Sequence, residues 1–221
     1  MFTNRPVLTA EGTVPANYFD KNYWEAGAQS GKGSYNSCTY ENNPNLCQYW
    51  ARDTYNRWGP FKDYLELGCG RGWAIWGFLN LPELGVSPKG VDISHYAITT
   101  AVEQVKPYLI EANASRMPFF ENLSFDLVFS NDFLEHLSPD QIRDTLRECS
   151  RISRHRIVHL VSIGDGKDYP IGQPPANGDQ SHMTMKPTHW WVQMFSEELA
   201  SGWEISTIEH GTTIEMDCRR R

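Results

Sequence analysis

Along this chain, hydrophobic and polar positions change their rhythm once, near residue 60. Before that point the sequence is polar and aromatic, rich in Gly, Asn and Tyr, with weak periodicity. Its one helical stretch runs from Pro44 to Trp58, with Leu46, Tyr49, Trp50 and Tyr55 as the apolar face. Residues 1–60 therefore read as an N-terminal cap rather than a separate domain. From Asp63 short apolar runs alternate with amphipathic ones. Strands are expected at Asp63–Leu67, Lys89–Ile93, Tyr108–Glu111, Phe125–Ser130 and Arg156–Ser162. Between them come helices at Trp73–Leu81, His95–Val105 (capped by Ser94) and Pro139–Ser150 (capped by Ser138). Such alternation predicts a parallel sheet covered on both faces. A Gly-, Pro- and Asp-rich loop, 164–186, follows. Pro187 opens a helix to about Ala200, and strands at Trp203–Glu209 and Thr212–Asp217 close an antiparallel hairpin through His210-Gly211. Neither an internal repeat nor a low-complexity segment interrupts the pattern, so 221 residues are expected to form one domain: a cap over 1–60 and a core over 61–221.

Composition narrows the partners. A net charge of -7 repels phosphate backbones, so no nucleic-acid partner is expected; the basic run Arg219-Arg220-Arg221 reads as a solvated tail. Five scattered cysteines without a C-x-x-C pair suggest reduced thiols and a cytoplasmic location. Met1 to Ala10 lacks an apolar signal core, and no apolar run approaches the ~20 residues that span a bilayer. Oligomeric state is not legible.

Four segments carry chemistry. In Glu66-Leu67-Gly68-Cys69-Gly70-Arg71-Gly72, a glycine loop between strand and helix lets backbone approach a ligand closely, and the helix start offers free N–H groups. In Gly90-Val91-Asp92-Ile93-Ser94, a carboxylate closing a strand is placed to accept from ribose hydroxyls. Both features suit a nucleoside ligand; Asp92 alone does not separate a dinucleotide from other nucleosides. The glycine spacing is G-x-G-x-G rather than the dinucleotide G-x-G-x-x-G. Asn113-Ala114-Ser115-Arg116-Met117-Pro118-Phe119 and Phe125-Asp126-Leu127-Val128-Phe129-Ser130-Asn131-Asp132-Phe133-Leu134-Glu135-His136-Leu137 complete the set.

In that order the four segments resemble the class I S-adenosylmethionine (SAM)-dependent methyltransferases of small-molecule type, over roughly Asp63 to Cys218. The resemblance implies a Rossmann-like, doubly wound α/β sheet of seven strands, mostly parallel with a C-terminal antiparallel hairpin, plus the N-terminal cap. It implies SAM as cofactor and S-adenosylhomocysteine as product. Glu66, Gly68, Cys69, Gly70 and Gly72 would cradle the amino-acid end, Asp92 and Ile93 the ribose, Asn113, Ala114 and Ser115 the adenine, and Asn131 the floor beneath the sulfonium. Asn113 stands where the family usually has Asp, which keeps an acceptor oxygen but removes the charge. Tyr23, Trp24 and Tyr35 fall where the family carries a lid, and aromatic rings there would attract a sulfonium.

The acceptor is expected to be a small molecule, most simply a hydroxyl compound, whose methylation needs a base. His136 and His182 are the candidate bases, and Asp132 and Glu135 candidate orienting groups. Lys186 reads either as an attractor of acidic substrates or as a solvated lysine; Trp190 and Trp191 read as helix packing before a stacking platform. No metal is expected, because the histidine and carboxylate lack a convincing third ligand. N-methylation of an amine or a protein side chain, a non-catalytic SAM-binding subunit and an NAD-dependent dehydrogenase stand as alternatives.

Overall fold

The computed structural model describes residues 6–25, 43–175, 178–199 and 201–221. A short helix α1 (Lys21–Glu25) and a long one, α2 (Pro44–Trp58), precede the core. Then come β1 (Asp63–Leu67), α3 (Trp73–Leu79), β2 (Ser87–Asp92), α4 (His95–Thr100), β3 (Leu109–Glu111), β4 (Phe125–Asn131), α5 (Pro139–Ile152), β5 (Ser153–Ser162), α6 (Thr188–Leu199), β6 (Trp203–His210) and β7 (Thr213–Arg220). The strand order is β3-β2-β1-β4-β5-β7-β6, parallel throughout except for β7, which runs antiparallel to both neighbours. The seven-stranded sheet expected from the pattern is therefore present, hairpin included.

Alternation along the strands divides the core. Leu65, Leu67, Val128, Ile157 and Val161 face one layer with α5 and α6. Tyr64, Leu127, Phe129 and Val158 face the other with α2 and α3. Burial on both faces is why these strands read as nearly continuous apolar runs. Order reverses between β1 and β4, and the crevice beyond the strand ends at such a reversal is where open α/β sheets bind ligands.

Two local expectations are corrected. The buried residues of α2 are Cys47, Ala51, Thr54 and Trp58, while Tyr49 and Trp50 of the expected apolar face are exposed. The reason is close packing: a Cβ at Gly77 of α3 would stand 2.3 Å from the Cys47 carbonyl oxygen, so only small residues fit at that contact. The helix expected to reach Val105 stops at Thr100. The Thr99 and Thr100 hydroxyls donate back to the carbonyls of His95 and Tyr96, each at 2.7 Å, and the chain turns extended at Ala101. Ser94 and Ser138 do cap α4 and α5, Ser138 with Gln141 as a reciprocal box. Among the described residues no helix is long and apolar enough to cross a membrane.

Candidate active site

After β1 the chain doubles back, and the Gly68 and Cys69 N–H groups both donate to the Val91 carbonyl of β2 (2.8 and 3.1 Å). Gly68 and Gly70 have φ of +66° and +55°, a region costly for residues with a Cβ. Space forbids a Cβ as well: at Gly68 it would lie 2.6 Å from the Phe133 ring, at Gly70 2.9 Å from Trp24. The loop is thus gripped between the turn after β4 and the N-terminal segment.

Asp92 ties this loop to β2. Its two carboxylate oxygens accept from the N–H groups of Gly70 and Ser94, both at 2.8 Å. Burial pushes its pKa up to about 6 against these hydrogen bonds. Glu66 is pushed further, to about 8, first by burial and then by the Asp92 charge. Its Oε2 is buried without a protein partner. An orphaned carboxylate oxygen beside a glycine cradle is a place for a cationic or N–H-bearing group.

These residues line a cavity of about 550 Å³, ample for a cofactor-sized ligand. Of the residues singled out in the sequence, Glu66, Gly68, Cys69, Gly70, Asp92, Ile93, Asn113, Ala114, Asn131, Asp132, His136, Tyr23 and Trp24 all line it. Gly72 and Ser115 do not. The Cβ position of Gly72 is taken by Val105 and Leu109, so this glycine serves the packing of α3. The Ser115 hydroxyl pairs with Thr145 of α5 at 3.2 Å. Tyr35 lies outside the described residues. The N-terminal segment closes one side: Trp24 Nε1–H donates to the Phe19 carbonyl (3.1 Å) and to Ser94 Oγ (3.0 Å), and Tyr23 is buried against Tyr18 and Phe19.

The part of the lining that follows β4 is polar. Asp132 holds a left-handed backbone, φ +48°, unusual for a residue with a Cβ and typical of constrained sites. Burial raises its pKa, with the His182 charge opposing. Glu135 is fully buried; its Oε1 accepts from the Ser162 N–H at 2.9 Å, and burial pushes its pKa well up. His136 packs edge-on against His182, ring centroids 4.6 Å apart, and burial lowers the pKa of both, His182 to about 4. His182 touches His136 without lining the cavity itself. The 164–186 loop supplies one further group, Asp179, whose Oδ1 accepts from the N–H and hydroxyl of Ser181 at 2.8 and 2.6 Å. Lys186 is paired with Asp168, and Trp191 is fully buried in the α6 packing with its Nε1–H on the Lys186 carbonyl. Neither reaches the cavity.

Sequence reasoning missed the share taken by α2. Trp50, Asp53, Thr54 and Trp58 border the cavity together with Phe129 and Leu160. The recurrence of Thr54 and Trp58 after Cys47 and Ala51 was the available signal, but only the fold shows what that face meets.

Residues 65–156 match the family model of the methyltransferase domain. No curated protein sequence matches the chain significantly. Among solved structures, it is similar to a protein of Pyrococcus horikoshii OT3 at 16% identity and TM-score 0.61, covering 85% of this chain and 95% of that one. A SAM-dependent methyltransferase of Archaeoglobus fulgidus aligns at 17% identity and TM-score 0.59, covering 82% and 96%. Geranyl diphosphate C-methyltransferase of Streptomyces coelicolor A3(2), crystallised with Mg2+, geranyl diphosphate and S-adenosylhomocysteine, aligns at 12% identity and TM-score 0.59, covering 80% and 79%. At such identities the solved structures speak for the fold, while the family model speaks for the segment holding the glycine loop, Asp92 and the turn after β4. Over residues 65–156 the chain thus matches a methyltransferase domain, and its seven-stranded sheet has the fold of solved S-adenosylmethionine-dependent methyltransferases.

Proposed function

We propose that this protein methylates a hydroxyl group of a small, uncharged or cationic acceptor. The observation that carries the reading is one cavity lined both by the glycine loop, Glu66 and Asp92 and by Asp132 and His136. Glu66 and the loop would hold the amino-acid end of SAM, Asp92 the ribose, and Asn113 with Ala114 the adenine. When bound, SAM supplies an electrophilic methyl group, the carbon–sulfur bond breaking as the acceptor–carbon bond forms. The protein's part is to align the acceptor, keep water out and receive the proton. His136 is built for the last task. The Ser181 hydroxyl is committed to Asp179, so at 2.9 Å it accepts from His136 Nδ1–H. That fixes the tautomer and leaves a bare lone pair on Nε2. Asp132, on the same wall, is the second acceptor for a proton.

Charge selects the acceptor class. The cavity lining includes the acidic side chains Asp53, Glu66, Asp92 and Asp132 and, among the described residues, neither Lys nor Arg. An anionic acceptor would meet repulsion there. The carbon acceptor of the Streptomyces coelicolor relative underlines that this fold does not choose the acceptor atom; side chains on the polar wall do. The test is a screen of phenols, alcohols and amines for S-adenosylhomocysteine release. A hydroxyl substrate whose turnover falls at least about 100-fold in His136→Ala supports the reading. Turnover confined to amines, indifferent to His136→Ala, overturns it and favours N-methylation.

A further inference from the structure

The polar wall holds a second arrangement that methyl transfer does not require. His136, Asp179 and His182 each offer a ligand atom within 4.8 Å of the other two. We propose that these three residues bind one divalent transition-metal ion at the acceptor end of the cavity.

The hydrogen bonds around the two rings set the tautomers needed. His136 Nδ1–H donates to Ser181 Oγ at 2.9 Å, because that hydroxyl gives its own proton to Asp179. His182 Nδ1 lies 3.2 Å from Met185 Sδ, a thioether with no proton to give, so Nδ1 is the donor there too. Both rings therefore carry their free lone pair on Nε2. A ring fixed through one nitrogen and bare at the other is how protein metal sites present histidine. On Asp179, Oδ1 is engaged with Ser181, and Oδ2 is left for an ion. Ser181 thus braces two of the three ligands at once.

A metal with bonds of about 2.1 Å holds tetrahedral ligand atoms about 3.4 Å apart, so side-chain movements of about 1 Å close the site. Two imidazoles and one carboxylate suit Zn2+, Co2+, Fe2+ or Mn2+ better than Mg2+ or Ca2+, which prefer oxygen-rich shells. Three protein ligands leave positions open, and His136 borders the cavity, so those positions face it. The ligand class that would fill them is a neutral molecule with one or two oxygen donors, a hydroxyl or a hydroxy-carbonyl. A divalent charge also offsets carboxylates that no lysine or arginine on the described lining balances. In the metal-loaded protein His136 Nε2 is a ligand and Asp132 is the remaining proton acceptor.

This inference concerns binding and stands apart from the methyl-transfer reading. The probe is Co2+ alone, added to protein dialysed against a chelator and followed by visible absorption. A ligand-field band saturating at one equivalent, with affinity falling at least about 100-fold in Asp179→Ala and in His182→Gln, supports the site. SAM affinity retained in both variants shows that they remain folded. With histidine labelled by heavy nitrogen, Zn2+ should also shift the Nε2 resonances of two histidines in the unsubstituted protein. Absence of a saturable band, Co2+ affinity unchanged in both variants, or Nε2 resonances indifferent to Zn2+ each overturns the proposal. Methyl transfer that proceeds in the chelated protein would leave the hydroxyl-methylation reading intact whichever way the Co2+ titration falls.

Discussion

At pH 7 a carboxyl whose pKa has been pushed up to about 8, as burial and the Asp92 charge do for Glu66, is about nine-tenths protonated. A cationic amino-acid end placed beside it reverses the balance. The carboxyl ionises, its orphaned oxygen gains a partner, and about 0.9 proton leaves the protein. Cofactor affinity must then depend on pH. If the loaded carboxyl returns to its ordinary value of 4.5, the SAM dissociation constant rises about 25-fold from pH 8.5 to 6.5, about 2 kcal/mol. Stability follows the same sign. A folded-state pKa above the unfolded one gives a contribution fully present below 4.5 and lost as pH rises through about 8, so the cofactor-free protein loses stability over that window. Calorimetric titration with SAM in buffers of different ionisation enthalpy counts the protons. The cofactor's own amine titrates nearby, so wild type is compared with Glu66→Gln, in which only the protein's share is missing. A difference below about 0.3 proton at pH 7, or equal pH dependence of affinity in the two proteins, would refute the argument that Glu66 meets the cofactor's charge.

Three further outcomes are expected. Asp92→Asn keeps the shape but loses the charge that receives Gly70 N–H and Ser94 N–H, so SAM affinity should fall about 10- to 100-fold by calorimetry; unchanged affinity removes Asp92 from the site. Gly77→Ala drives a methyl into the Cys47 carbonyl and should cost about 1–3 kcal/mol in urea unfolding, and a neutral result would contradict the α2–α3 contact. His159, paired with Ser130 at 2.6 Å and fully buried, has its pKa lowered to about 3 by burial. Its contribution is present above 6.5 and is lost as pH falls towards 3, so about 2 kcal/mol should go between pH 7 and 5. A His159→Gln protein with the same acid slope would show the loss arises elsewhere.

Legibility in the sequence tracks how local each cause is. Strand β1 and helix α2 were readable to the residue, because burial pattern and a Pro-initiated first turn are written within a few positions. The glycine loop was readable because backbone conformation and close approach both demand glycine at Gly68 and Gly70. Gly72 looked identical in the string and serves helix packing instead. The face of α2 was misjudged because Leu46 and Tyr49 carry larger apolar surfaces than Cys47 and Ala51, yet a glycine on the neighbouring helix rewards small size. What the string could not show was the meeting of Asp179 with His136 and His182. Asp179 lies 43 positions beyond His136, and only the return of the 164–186 loop to the turn after β4 joins them.

That return is held by Glu135, and here the E-H-L stretch takes on a different meaning. Its carbonyl accepts from the N–H groups of Met183 and Thr184 (2.7 and 2.9 Å), its carboxylate from Ser162, and the Thr184 hydroxyl donates to the next carbonyl but one, Leu137. Glu135 does not border the cavity. One buried residue therefore staples the end of β5, the turn after β4 and the long loop into a single wall, carrying His136 at its face. A buried carboxyl in such a staple is costly to disturb. The parts of the lining differ in how they are encoded. The glycine loop, Glu66 and Asp92 are supplied by β1, β2 and their turns, within about thirty residues of chain. The rest of the lining draws on α2 and the turn after β4, which the 164–186 loop braces; of these the β4 turn touches the glycine loop through Phe133, whereas α2 meets the cavity through Trp50, Asp53, Thr54 and Trp58. On the proposed reading, substitutions at Asp53 or Thr54 should therefore change which acceptor is turned over while SAM affinity by calorimetry stays in place.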